Sequence, residues 1–170
     1  MTTSEAFLPF ERAKFRTRLP RGHYYTAGHM WLRASELDGE AAVWHVGLTR
    51  FALRMLGEPV DLDFEAKVGD PIEKGQVVGW FEGFKAVTDL FAPMQATFAG
   101  ANPALAAGLD AVHRSSYDRG WLFALRGPLD RDCIDAEGYA AFLEAAIDKV
   151  LGDSHVEGDP RSHTQASESK

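Results

Sequence analysis

The sequence predicts a mostly β fold: a small β-sandwich or flattened barrel with one short internal helix and one C-terminal helix. Three observations carry this. Residues 61–67 alternate strictly, with Leu62, Phe64 and Ala66 on one face and Asp61, Asp63, Glu65 and Lys67 on the other, the period of a half-buried strand. Asp38-Gly39, a strong hairpin-turn pair, stands between two apolar runs. Only two longer stretches repeat apolar residues at helical spacing.

In chain order, "HMWLRASELDGEAAVWHVGL" reads as two strands around that turn. "LTRFALRMLG" reads as a short helix. Leu48, Phe51, Ala52, Met55 and Leu56 share one face, and Gly57 is placed to end it. The alternating strand follows. From 68 to 100 the chain reads as short strands broken at Pro71, Gly75 and Pro93. "NPALAAGL" makes one or two helical turns, and "GWLFALRG" is a strand again. The C-terminal helix carries an apolar stripe of Tyr139, Phe142, Leu143, Ala146, Ile147, Val150 and Leu151. Asp135 caps it and Gly152 stops it.

The expected organisation is an N-terminal arm over 1–22, packed on the domain surface, one domain over 23–152, and a disordered polar tail over 153–170. No internal repeat of solenoid length is present.

The 170 residues are 45% hydrophobic and 25% charged, which suits one soluble domain with a single sizeable core. A net charge of −7 argues against nucleic-acid binding, which needs a basic face. No apolar run approaches a membrane span. The arm lacks a signal-peptide core, and Glu5 and Glu11 interrupt a transit pattern. A single cysteine, Cys133, excludes an internal disulfide and points to a reducing compartment.

Chemistry is sparse. The histidines are scattered, without zinc-ligand spacing. His29 and His45 are read as parts of their hairpin, and no metal site is expected. There is no Gly-x-Ser-x-Gly elbow, and "GDPIEKG" lacks the closing Gly-Lys-Ser/Thr of a phosphate loop. Asp61 and Asp63 are read as a solvated face, and Cys133 as a structural or tolerated thiol. No catalytic residue is expected. What remains is "GWFEGFKAVTDLFAP", where Lys85 falls between two strands. A solvent lysine and an amine acylated by another enzyme both fit. A nucleophile fits poorly, because an amine needs burial or cationic neighbours to be activated and the charged neighbours here are Glu82 and Asp89.

The stretch "VGDPIEKGQVVGWFEGFKAVTDLFAPM" resembles the lipoyl-attachment region of the glycine cleavage system H protein family. The family pattern is Glu-Lys-Gly, a strand, then Glu-x-x-Lys-Ala-x-x-Asp-apolar-aromatic-x-Pro. It is met by Glu73, Lys74, Gly75, Glu82, Lys85, Ala86, Asp89, Leu90, Phe91 and Pro93. "HMWLR", "VGLTRFALRMLGEPVDL", "DRGWLFALR" and "AEGYAAFLE" resemble further segments of the family, in the family's order. The resemblance covers roughly residues 23 to 152.

The resemblance implies a lipoyl/biotinyl-type hybrid β-sandwich whose Lys85 carries lipoic acid in amide linkage. Glu82, Gly83, Phe84, Ala86 and Asp89 would be recognised by the lipoylating enzyme, a lipoate ligase or octanoyltransferase. It implies a non-catalytic carrier that moves an aminomethyl group between glycine decarboxylase, an aminomethyltransferase and dihydrolipoyl dehydrogenase. The place of work would be the cytoplasm, or the mitochondrial matrix in a eukaryote.

The chain departs from the family at Gly83-Phe84, where a small polar and an aliphatic residue are usual. It departs again at Ala96, in place of a glycine, and at Ser115-Ser116-Tyr117, in place of Asp-Pro-Tyr. A second reading is therefore an H-like lipoyl carrier for another pathway, such as oxidation of a sulfur compound. A third is an unmodified interaction module.

Overall fold

The computed structural model describes residues 6–38 and 41–157. Its β content lies in three antiparallel sheets that do not close on one another. The largest has the order β3-β4-β5-β11-β10-β7, formed by Tyr24–Tyr25 (β3), Met30–Asp38 (β4), Ala41–Leu48 (β5), Phe123–Arg126 (β11), Ala96–Ala101 (β10) and Pro71–Ile72 (β7). The second has the order β6-β8-β9: Pro59–Phe64, Val77–Gly83 and Val87–Phe91. The third is a hairpin of β1 (Phe7–Arg12) and β2 (Phe15–Pro20). Three helices complete the fold: α1 (Arg50–Leu56), α2 (Asp110–Arg114) and α3 (Ala136–Glu157), with a 3-10 turn at Pro103–Ala107.

The main core lies between the two larger sheets. Leu32, Val46, Phe123 and Leu125 meet Phe81 and Leu90, and Leu53 and Leu56 of α1 close one side. Burying such a side chain stabilises the fold by about 1.5–3 kcal/mol. β4 is covered on both faces. Leu32 faces the main core, while the next residue inward, Trp31, joins a second cluster with Phe15, Leu19, Tyr25, Tyr139, Leu143 and Ile147. Trp31 pairs across the ladder with Gly47. A Cβ on Gly47 would lie 2.5 Å from the indole ring, so the ring lies flat only because that position is glycine.

The N-terminal segment is thus a hairpin, and its Phe15 and Leu19 belong to this second core. Arg12 ties it to α3 through Asp148, with Nε–Oδ1 and Nη2–Oδ2 distances of 2.9 and 2.7 Å.

Several expectations need correction. The buried face of α1 is Ala52, Leu53 and Leu56. Met55, expected inside, is 52% exposed, because Leu53 takes the core position while Met55 borders a surface cleft. The alternating strand ends at Phe64 rather than Lys67. In α3 the fully inward residues are Ala136, Tyr139, Leu143 and Ile147, while Phe142, Val150 and Leu151 face out; one sheet edge and one hairpin cover only a narrow stripe. Asp135 does cap this helix, its Oδ1 accepting from the Gly138 N–H at 2.8 Å. Gly152 does not stop it, and α3 runs on to Glu157. A helical glycine costs only about 0.5–1 kcal/mol relative to alanine, too little to end a packed helix. The polar tail otherwise lies outside the described residues, as does the Asp38-Gly39 turn beyond Asp38. α2 was not anticipated.

Candidate functional site

The hairpin β8–β9 places Lys85 where the sequence predicts, at its crest between Glu82, paired with Val87, and the turn. Phe84, Lys85 and Ala86 are all exposed. The ladder alone does not fix this turn. Neither Phe84 nor Lys85 has positive φ, so the turn is not the type I′ that a two-residue hairpin favours. It is held from outside, by the end of α1. The Leu56 carbonyl accepts from the Lys85 N–H at 2.8 Å and from the Ala86 N–H at 3.2 Å. The Glu58 carbonyl accepts from the Phe84 N–H at 2.8 Å.

Two glycines permit this approach. Gly57 ends α1 at φ 85°, its N–H donating to the Leu53 carbonyl. A Cβ there would stand 2.9 Å from the Lys85 nitrogen and 3.0 Å from its Cγ. A Cβ on Gly83 would stand 2.2 Å from the Leu56 oxygen. The lysine stem therefore lies against Gly57, and its amine reaches back to the Arg54 carbonyl at 3.4 Å. That bond is long and leaves the amine available.

α1 is itself anchored. Thr49 caps it, accepting from the Ala52 N–H at 3.3 Å. The same buried hydroxyl lies 3.0 Å from Tyr139 Oη, which also meets His29 Nδ1 at 2.8 Å. Burial holds the His29 pKa below its usual value.

The other predicted residues divide. Gly83 is buried under α1 and Ala86 shares in its carbonyl bond. Glu82 is half-buried and Asp89 exposed. They face outward from the sheet with Asp61 and Asp63 on neighbouring strands, Asp61 beside Glu82 and Trp80 beside Asp89. Phe84 is 85% exposed, so it does not pack back onto the hairpin. Lys74, in the family-like Glu-Lys-Gly turn, is engaged in ion pairs at the surface instead. Its amine is held by Asp130 at 2.8 Å and Asp132 at 2.5 Å, and those hydrogen bonds raise its pKa.

Two concavities flank the crest. One, of about 530 Å³, is lined mainly by apolar side chains including Met30, Leu48, Met55, Leu90 and Phe91. Cys133 borders it, half-buried, with burial first and Asp130 second pushing its thiol pKa up. That is a poor nucleophile. The other, of about 340 Å³, is bordered by Lys85 itself, together with Phe15 and Arg16 of β2. Among the described residues no group of three or more His, Cys, Asp or Glu side chains is placed to hold a metal ion, and no helix is long and apolar enough to cross a membrane. His45 stacks on Trp121 at 3.8 Å, and His23 meets the Tyr117 carbonyl at 2.7 Å. These histidines serve the fold.

Sequence reasoning missed Gly57, Thr49 and Tyr139 as builders of the site. Gly57 was legible as a helix stop, but not as the surface under a lysine 28 residues later.

The arrangement has close relatives among known proteins. A model of the glycine cleavage H-protein family matches residues 23–144. The glycine cleavage system H protein of Bacteroides fragilis is 35% identical over 129 residues, covering 74% of this chain and 98% of that protein. That of Beutenbergia cavernae is 36% identical over 123 residues, covering 72% and 94%. Among solved structures, a glycine cleavage system H protein from Mycobacterium marinum superposes with a TM-score of 0.63 at 28% identity, covering 72% of this chain and 97% of that one. The N-terminal hairpin and the last turns of α3 fall outside the family match. From residue 23 to residue 144, this chain belongs to the glycine cleavage H-protein family.

Proposed function

We propose that the chain is the lipoyl carrier of glycine cleavage. Lys85 bears lipoate in amide linkage and presents it in turn to glycine decarboxylase, an aminomethyltransferase and dihydrolipoyl dehydrogenase. The observation that carries this reading is the crest: an exposed lysine on a turn locked by two backbone hydrogen bonds to Leu56 at the end of α1 and one to Glu58 just beyond it. A modifying enzyme needs an accessible amine in a fixed frame, and a carrier needs a firm base for a long flexible group. Both are met here.

The residues present fit the group. The Lys85 amine has one long bond to give up on acylation, and its methylene stem already lies on Gly57. Met55 and Phe91 supply exposed apolar walls beside the hairpin for an alkyl chain. When bound, lipoate supplies a dithiolane that accepts a group at one active site and yields it at another. The chain's own part is to bind, orient and shelter. Glu82 and Asp89 mark the outward face of the hairpin for the lipoate ligase or octanoyltransferase, and Phe84 offers a bare aromatic ring to partner surfaces. Asp61 and Asp63, on the same face, add to an acidic surface suited to basic docking sites.

Intact-mass analysis and peptide mapping of the protein after reaction with a lipoate ligase test this. One lipoyl increment on Lys85, abolished in Lys85→Arg, is expected. An increment on Lys67 or Lys74, or none at all, would sink the assignment.

A further inference from the structure

The smaller concavity beside Lys85 has the wrong sign for this protein. The chain carries a net charge of −7, and the outer face of the β6-β8-β9 sheet is acidic. Yet the groove on the other flank of the lysine is bordered by Arg16, Arg50, Arg54 and His113, with Phe15 and Leu53 as its apolar floor. Arg50 and Arg54 stand one helical turn apart on α1 and form no ion pair among the described residues. Like charges at that spacing weaken a helix, which Arg54 offsets only in part by its place in the last turn. Arg54 lies over the Phe15 ring, 5.7 Å from guanidinium carbon to centroid, which orients it along the groove wall. Arg16 is anchored to Glu11 at 2.9 Å. Glu11 thus offsets the charge of Arg16, and Glu58 on the groove, which forms no ion pair among the described residues, opposes the other arginines.

One wall of this groove is the N-terminal hairpin, which lies outside the family match. The hairpin's buried Phe15 docks it beside α1. This segment therefore adds something to the flank of Lys85 that the matched region lacks.

The geometry points to an oxoanion-binding groove next to the attachment lysine, made by Arg50 and Arg54 with Arg16 from the hairpin, and taking a phosphate or carboxylate. Guanidinium groups hold such oxygens through paired N–H donors. The anion is carried by a free small molecule bearing a phosphate or carboxylate group, and its binding does not depend on the proposed lipoyl role.

The test uses the full-length, unmodified protein. Inorganic phosphate is titrated at constant ionic strength against chloride, and the arginine Nε–Hε and backbone amide NMR signals are followed. Saturable shifts centred on Arg50, Arg54 and Gly57 are expected. Arg54→Gln should weaken binding about fivefold, the loss of one exposed charge contact, and Glu58→Gln should tighten it. Both positions are exposed, so neither change threatens the fold. Shifts that are linear, matched by chloride, or equal in Arg54→Gln would overturn the proposal. A lipoate ligase that fails to modify Lys85 would sink the carrier reading and leave the phosphate titration untouched.

Discussion

Replacing Gly57 by alanine probes the contact on which the lysine crest rests. Gly57 has φ 85° and ψ −175°, a region nearly closed to residues with a side chain. Forcing alanine into it costs about 1–3 kcal/mol. The new methyl would also stand 2.9 Å from the Lys85 nitrogen, so the crest must move away. That weakens the bonds from the Lys85 and Ala86 N–H groups to Leu56, each worth about 0.5–1.5 kcal/mol. With partial relaxation the total is about 2–4 kcal/mol. For a chain of this size that lowers the melting temperature by about 5–15 °C. Gly75 supplies the control. Its φ is 84°, but nothing lies within 4 Å of its Cβ position, so Gly75→Ala carries the backbone strain alone. Urea unfolding gives the two stabilities, and intact mass gives the two rates of modification by a lipoate ligase. Gly57→Ala should be the less stable and the slower to be modified. If the two variants lose equal stability and are modified at equal rates, the crest does not depend on α1 and the account of the site is wrong.

Glu82→Ala should slow lipoylation roughly tenfold, the loss of one charge-assisted contact to the modifying enzyme, while changing stability by no more than about 1 kcal/mol; marked unfolding with normal modification would reverse that assignment. Phe84→Val should be lipoylated normally but exchange its cargo at a changed rate with at least one partner enzyme, since an exposed ring is available for contact; equal rates with all partners at matched lipoylation would remove Phe84 from partner choice. Acid should weaken the fold. Burial lowers the pKa values of His23, His29 and His45 from 6.5, so the unfolded chain binds more protons as pH drops through 6.5. Stability is then full above 6.5 and declines below it, read as a falling urea midpoint between pH 7.5 and 5.5, with a shallower fall in His29→Gln; a midpoint that rises on acidification would contradict this.

Much of this was legible because it is local. Alternation set β6, a turn pair set the β4–β5 hairpin, and helical spacing set α1 and α3. What escaped was tertiary. Met55 and Leu53, two residues apart, lie on nearly opposite sides of a two-turn helix with apolar residues all round, and only the position of the covering sheet decides which is buried. Phe15, Thr17 and Leu19 do alternate with Arg16 and Arg18, the period of a strand, but five residues do not say what covers that face, and it is core because α3 passes over it. The end of α3 escaped for an energetic reason, since one glycine is a weaker stop than continued helix is a gain. For the site, Lys85 was legible through a resemblance, whereas its mechanical support was not, because that support is a backbone carbonyl and a missing side chain.

The support can be followed further. Leu56 holds the crest by its carbonyl, so the crest is only as firm as α1, a helix of seven residues. Such a helix is unstable alone. Its first turn is fixed by Thr49, and Thr49 is fixed in turn by Tyr139, a ring buried in α3 and stacked on Tyr25 at 4.7 Å between centroids. The Arg12–Asp148 pair and the packing of Phe15 tie the N-terminal hairpin to the same assembly. The rigidity at Lys85 therefore comes from a line of contacts starting in α3. The end of α1 and Glu58 meet the crest through backbone groups, so exchanging the side chains of Lys85, Phe84 or Glu82 for any but proline leaves those bonds in place. The exposed side chains of the crest are thus free to vary, while the stiffness beneath them is supplied from behind.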